Sequence, residues 1–446
     1  MAGRSPAGLW WHLHPLTFLG AEPQALPEGS PVVHRLPRLE RWLDHVVALG
    51  CDGLLLGPVF ASSSHGYDTV TYDLIDPRLG DADDLAHLVA AARERGVAVA
   101  LDGVFNHVGR DFWAFRRVLA EGPTSPYASW FRLTWPADGW QGPGSEPAYE
   151  TFEGHGALVA LDHREPAVRE AVSGVLERWA EVGVTAWRLD AAYAVAPGFL
   201  RAVTDAARAA RPESLVPRRG HPRRLRRGRR RRGAGRRHPV PGCGRRRGAA
   251  SSTATSGRLA HALGRHGGLT GDAEPQTFLG NHDVTRIASQ VPDEALLPHA
   301  EVVLMTVAGV PSVYAGDEHG LHAVKEERAG GDDAIRPAFP EDPLALVPEV
   351  PGTFGRYRDL AQLRRAHPWL RTCTTEAGAL ANEHLVYTSR AAADGPGRLV
   401  VALSLHADPV DLEVPEGGWQ VALGEAEVSP GRVRLPARGW AVLTEV

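Results

Sequence analysis

Short runs of Leu and Val recur along the first two hundred residues, and between them apolar positions fall at helical spacing. Gly53–Phe60, Val97–Val104 and Val184–Leu189 read as strands buried on both faces. Leu36–Leu49, Asp83–Arg95 and Ala167–Glu181 read as helices, the first with Leu36, Leu39, Leu43, Val46 and Val47 at helical spacing. Such alternation implies βαβ units around a parallel sheet, hence a barrel or a doubly wound fold. The pattern resumes with strands at Gln276–Val284 and Gly309–Gly316 and helices at Glu294–Val307 and Phe354–Ala366. After about His384 it changes to short strands (His384–Thr388, Arg398–Leu405, Trp419–Leu423, Ala441–Val446) broken by Gly and Pro, which is the pattern of a small all-β module.

A chain of 446 residues exceeds one ordinary domain, though a single barrel absorbs ~250 residues or more. With 43% hydrophobic and 23% charged residues it is neither disordered nor fibrous. Its apolar runs fall far short of the ~20 residues that span a bilayer, and Met1–Trp11 holds no apolar stretch of signal-peptide length. Cys51, Cys243 and Cys373, an odd number without C-x-x-C, argue against a disulfide framework or a cysteine zinc site. A cytoplasmic protein without membrane association is expected.

Arginine supplies 48 of the 49 basic residues, Lys325 being the one lysine. Fifteen arginines lie between Leu215 and Gly248, a stretch without Asp or Glu; the rest of the chain carries 34 basic against 53 acidic residues. A basic segment set in an acidic body raises the question of nucleic acid. Earlier, between Arg110 and Leu161, an irregular stretch holds Trp113, Trp130, Trp135 and Trp140. A loop of that length inside a barrel is uncommon unless functional; its tryptophans would form a small subcore, a carbohydrate-stacking surface, or both.

Three segments place ionisable residues where apolar strands end: Asp102 to His107, Arg188 to Asp190, and Asn281 to Asp283. Barrel strands carry their active-site residues at the C-terminal ends, so the three clusters would converge on one mouth. Carboxylates, histidines and an arginine, without cysteine or phosphate-cradling glycines, suit acid/base or nucleophilic work on a neutral, hydroxyl-rich substrate.

DGVFNH at 102–107, WRLD at 187–190 and FLGNHD at 278–283 resemble three of the four signature regions of the α-amylase family, glycoside hydrolase family 13. HGYDT at 65–69 with YDLIDPRLG at 72–80 resembles its second-strand loop, LDHREPAVRE at 161–170 the entry to its third helix, and VPSVYAGDEHG at 310–320 its eighth strand and loop. The resemblance covers roughly residues 8–210 and 257–446. It implies an α/β fold, a (β/α)8 TIM barrel with a short insertion after strand three and a C-terminal β-sandwich. The parts are then barrel at 1–109, insertion at 110–160, barrel at 161–372 with an anomalous segment at 214–256, and sandwich at 373–446.

The resemblance also implies roles. Asp190 matches the nucleophile of a retaining mechanism, and Arg188 would keep it ionised. Asp283 matches the acid that hydrogen-bonds sugar hydroxyls and stabilises an oxocarbenium-like transition state. His107 and His282 match donors to hydroxyls beside the scissile bond; Tyr67 would stack under that ring and Asp68 bind a hydroxyl. Asp102 would brace the site from behind. Asn106 matches a calcium ligand in some members, but partner ligands are not recognisable, and no metal or other cofactor is expected. The implied substrate is an α-glucan or maltooligosaccharide, with hydrolysis as the reaction; a transglycosylase, a sugar isomerase or a non-catalytic carbohydrate-binding relative are the alternatives.

One element of the pattern is missing. The family places its general acid, a Glu, at the end of the fifth strand, but Ser214–Ser256 contains neither Glu nor Asp, and Glu213 precedes any strand. Glu318, in the eighth-strand loop, is the first candidate for a substitute. No strand pattern occurs in this window either, so the barrel is expected to be interrupted at its fifth and sixth strands and the segment to be irregular and exposed. Spacing kept while content is lost, in arginine, glycine and proline, reads as a compensated frame shift in a GC-rich gene. A solvated insert leaves the missing acid unexplained, and the lack of interleaved aromatics argues against a nucleic-acid-binding arm.

Overall fold

The computed structural model describes residues 8–210, 255–267, 275–328, 330–392 and 395–446. Six strands form its central sheet: β1 (Trp10–Leu13), β2 (Gly53–Leu56), β3 (Ala98–Gly103), β4 (Ala186–Leu189), β5 (Gln276–Phe278) and β6 (Val310–Tyr314). Their order is β4-β3-β2-β1-β6-β5, and every pair is parallel. Because β1 lies between β2 and β6, the first and last strands of the series are neighbours, as in a sheet closing on itself. The fold is a (β/α)8 barrel of which these are adjacent staves. The expected interruption, and the expected irregularity of 214–256, lie outside the described residues, apart from Thr255 and Ser256, which open the helix Thr255–Gly267.

Parity along the strands separates the barrel interior from the layer beneath the helices. Trp10, Leu55, Ala100, Ala186 and Val310 fill the interior as one cluster. The large indole fits because its neighbours are small: Gly53 lies opposite Trp10, and Ala98 opposite Gly53. Trp11, Leu54 and Leu56 point outward into the main core against the helices. β1 left no trace in the sequence analysis, being only four residues long and ending near a histidine. β2 stops at Leu56, short of the expected Phe60, where Gly57-Pro58 interrupts the pairing.

Helix boundaries follow local chemistry. Ala82–Glu94 starts with a capping box in which Asp81 and Asp84 each accept the other's backbone N–H. Pro166–Val182 begins with proline in its first turn and ends at Gly183, whose φ of 112° suits glycine. The expected helix Leu36–Leu49 is instead a 3₁₀ segment, Leu36–Trp42, running into a short α-helix, Leu43–Ala48. In the insertion, Trp113, Tyr127 and Trp130 meet edge to face at 4.8–5.6 Å. Trp135 packs against the main core, and Trp140 lies over Gly122. Trp113 and Trp130 therefore form a small subcore with Tyr127, and Trp135 and Trp140 pack elsewhere.

The C-terminal part is a β-sandwich. A five-stranded antiparallel sheet (Thr374–Leu380, His384–Arg390, Arg398–Ser404, Trp440–Glu445, Trp419–Gly424) faces a three-stranded one (Val410–Glu413, Arg432–Leu435, Glu427–Ser429). Val386, Val400, Leu412, Val433, Leu435 and Leu443 fill the space between them. The other face of the larger sheet meets the helix Leu297–Thr306, where the Ser389 hydroxyl donates to the Thr306 carbonyl at 2.8 Å and His299 Nε2 lies 2.9 Å from the Ser404 carbonyl. Among the described residues, no helix is long and apolar enough to cross a membrane.

The interior packing makes a testable demand. A Cβ at position 53 would sit 2.4 Å from the Trp10 ring. Gly53→Ala is therefore expected to destabilise the protein by about 1–3 kcal/mol through overpacking, read as a lower urea midpoint at unchanged m-value.

Candidate active site

At the C-terminal end of the barrel, β3 and β4 place Asp102 directly opposite Arg188 in register. The Arg188 guanidinium donates to Asp102 through Nη1 and to Asp190 Oδ1 through Nη2, the latter at 3.3 Å. Arg188 and Asp190 are two residues apart and so share a face; the Asp190 N–H prolongs the ladder by donating to the Gly103 carbonyl at 3.0 Å. Burial works against the charge on Arg188, but Asp102, Tyr67 and Asp190 outweigh it and raise its pKa overall. The arginine stays charged, fixed between two carboxylates.

From Asp102 the contacts continue around the mouth. The Tyr67 hydroxyl donates to Asp102 Oδ2 at 3.0 Å and lies 2.6 Å from His282 Nε2. Burial, then the Asp102 charge, pushes the phenol well above its usual range, so Tyr67 keeps its proton. Burial likewise holds His282 neutral, well below 6.5. Since Tyr67 donates to Asp102, the imidazole proton belongs on Nε2, where it serves the tyrosine oxygen and Asp283 Oδ2 at 3.1 Å. The Tyr67 and His282 rings stack at 5.2 Å. Asp190, Arg188, Asp102, Tyr67, His282 and Asp283 thus form one unbroken series of polar contacts.

His107 and Asn106 stand beside it. The Asn106 amide nitrogen lies 3.3 Å from His107 Nδ1, while Nε2 of this buried histidine has no partner among the described residues. Burial lowers its pKa to about 4 despite the opposing charge of Asp190. Asp68 is turned elsewhere: its carboxylate accepts from the Ser64 amide at 3.1 Å and the Ser64 hydroxyl at 2.6 Å, closing its own loop. The described groups of three metal-ligating His, Cys, Asp or Glu side chains lie elsewhere.

The structure corrects the expectation for Glu318. Its side chain is fully buried; Oε1 accepts from Trp11 Nε1 at 3.0 Å and meets His45 Nε2 at 3.0 Å, while Oε2 accepts from the Gly316 amide at 2.8 Å. Trp11 points outward from β1, so Glu318 lies under the helices, not in the mouth. Although burial alone would raise its pKa, the hydrogen bond and charge of His45 leave it lowered. An ionised, enclosed carboxylate cannot donate a proton to substrate.

Sequence reasoning missed Arg336 and Phe152. Arg336 donates to Asp283 Oδ1 at 3.0 Å and to Asp332 Oδ2 at 2.7 Å, and its Nε reaches the His282 carbonyl. It arrives from a loop beyond β6, without any motif to mark it. Phe152, from the insertion, stacks on His107 at 4.5 Å, and its neighbour Glu153 accepts from the Tyr193 hydroxyl at 2.6 Å. His14 lies against Tyr67 and His282, with ring centroids 6.4 and 5.5 Å away, and burial and Arg336 lower its pKa to about 3.

These depressed histidines set a pH dependence. Each binds its proton more weakly folded than unfolded, where the value is 6.5. Their stability contribution is therefore intact above about pH 6.5 and is lost as pH falls toward 4. Unfolding free energy should drop over that window, and His107→Gln should flatten the slope; a slope unchanged by the substitution would contradict a neutral buried His107.

With the geometry described, comparison with known proteins identifies the family. The family model "Alpha amylase, catalytic domain" matches residues 39–214 and 259–372, leaving out the arginine-rich stretch between them. A cyclomaltodextrinase of Geobacillus thermopakistaniensis (strain MAS1) is 28% identical over 97% of this chain and 76% of its own length. A cyclomaltodextrinase of Bacillus sp. is 31% identical over 74% of this chain and 59% of its own length. Among solved structures, the debranching enzyme of Nostoc punctiforme superposes with a TM-score of 0.76 at 22% identity, covering 99% of this chain and 98% of that one. The chain belongs to the α-amylase family, glycoside hydrolase family 13.

Proposed function

We propose that the protein acts on α-glucosidic bonds of maltooligosaccharides or related α-glucans by a retaining displacement at Asp190. The observation that carries this reading is the contact series joining Asp190 to Asp283 through Arg188, Asp102, Tyr67 and His282. Family membership supports it, as does similarity to cyclomaltodextrinases. Asp190 would attack the anomeric carbon while the bond to the departing oxygen breaks. Arg188 pairs with the proposed nucleophile at 3.3 Å. Asp283, oriented by Arg336 and His282, would face the positive charge that develops on the sugar. The neutral imidazoles of His107 and His282 suit hydroxyl groups, which need hydrogen bonds rather than charge. No cofactor enters this scheme, and a cytoplasmic location fits the buried free thiols of Cys51 and Cys373.

The departing oxygen needs a proton, and the residues that would face Asp190 from the fifth strand include no carboxyl group in the sequence. In a retaining site the second carboxyl stands ~5–5.5 Å from the nucleophile and later activates water. Both halves of the reaction are therefore impaired, by about 10²–10⁴-fold for the loss of acid/base assistance. The same deficit favours a second reading, a protein that binds maltooligosaccharide without turning it over.

The two readings separate with α-glucosyl fluoride, whose leaving group departs without a proton. The expected result is slow or absent cleavage of maltotriose, reaction with the fluoride, a glucosyl adduct on Asp190, and faster release when azide replaces water as the nucleophile. Asp190→Asn should abolish the adduct. Binding of maltotriose with no reaction of the fluoride would favour the second reading. Maltotriose turnover at ordinary enzyme rates would show that a proton donor operates after all.

A further inference from the structure

Away from the mouth, a second cluster of ionisable groups sits under the helices where the barrel closes. His45 lies on the short helix after β1, and Glu318 and His319 lie on the turn Asp317–His319 after β6. One ligand atom from each of the three falls within 4.8 Å of the other two. His45 Nε2 is 3.0 Å from Glu318 Oε1, and the two imidazoles stack at 5.4 Å with 22° between their planes. His319 is only 7% exposed, and neither of its ring nitrogens has a hydrogen-bond partner among the described residues. A buried imidazole with both nitrogens unsatisfied is uncommon and calls for a missing partner.

The surroundings suit a cation. Trp11 Nε1 and the Gly316 amide fix the two oxygens of Glu318, leaving Oε1 directed at His45, as outer hydrogen bonds orient a metal-ligating carboxylate. Phe354 covers both histidines at 5.2 and 5.7 Å. Two imidazoles and one carboxylate are a zinc-type donor set, whereas calcium and magnesium prefer oxygen alone. The other described triplet, His34, Asp81 and Asp84, is different: His34 is exposed and both carboxylates already serve the helix cap.

We propose that His45, Glu318 and His319 form a binding site for one divalent transition-metal ion of the zinc class. The ion would tie the first βα unit to the last, across the β1–β6 seam, with water completing its coordination. Nothing in the sequence marks the site, because His45 lies far along the chain from Glu318 and His319 and the set contains no cysteine.

The test uses the untagged full chain, stripped with a chelator and titrated with Zn²⁺, with Co²⁺ as a spectroscopic probe. The expected result is saturable binding of one Zn²⁺ per chain and visible ligand-field bands for Co²⁺. A rise in Tm with Zn²⁺ but not with Mg²⁺ or Ca²⁺ is also expected. His319→Gln and His45→Gln should each weaken binding at least about 100-fold, the upper end of the loss when even an outer-shell partner is removed. Circular dichroism checks that each variant is folded, and either variant suffices if the other is not. Absence of saturable binding by the wild type, or binding that survives substitution of a folded variant, overturns the proposal.

Discussion

The Arg188 guanidinium is the interaction around which the mouth of the barrel is organised. It is almost fully buried, and a lone cation there would be strongly unfavourable. Two carboxylates offset it, one from the neighbouring strand and one from its own. Removing Asp102 would leave a buried positive charge half-compensated, and removing Arg188 would leave two carboxylates facing each other. Because Asp102 also receives the Tyr67 hydroxyl, the charge pair sets the position of the tyrosine and, through it, of His282. An electrostatic requirement of the core is therefore also the device that orients the proposed nucleophile.

Much of this was legible because it depends on local order. The apolar strands and the residues that follow them, Asp102, Arg188 and Asp283, are close in sequence to the elements that position them, so period and motif suffice. What escaped detection is held by distant chain. Arg336 reaches Asp283 from a loop more than fifty residues on, and Phe152 reaches His107 from an insertion without regular pattern. β1 is too short to have a period. Two strands of the sandwich were missed for a related reason: Val410–Glu413 and Arg432–Leu435 alternate inward and exposed residues over only four positions.

Glu318 shows how a correct motif misleads without parity. It follows β6 just where a barrel strand delivers residues to the mouth, and an acid there is a reasonable candidate on sequence alone. The turn after Tyr314 carries it outward instead, to the indole of Trp11 on the outer face of β1. Its neighbour Asp317 is also buried away from substrate, paired with Arg286 at 2.9 Å, and burial raises its pKa to about 6. Side-chain direction, which alternates along a strand but is reset by each turn, decided both cases.

The proposed reaction divides between two parts of the chain. The proposed nucleophile, its charge partner, the second carboxylate and the proposed hydroxyl donors come from the described strands and their loops, where Trp10 and Val310 belong to one interior cluster. In the proposed mechanism the proton donor would come from the fifth strand, and the sequence from Ser214 to Ser256 offers neither Glu nor Asp. The proposed positioning and charge stabilisation use residues outside that stretch, whereas cleavage of a bond to an unactivated leaving group would need an acid. The arginines there cannot substitute, since a guanidinium holds its proton at any ordinary pH and does not release it to a leaving group.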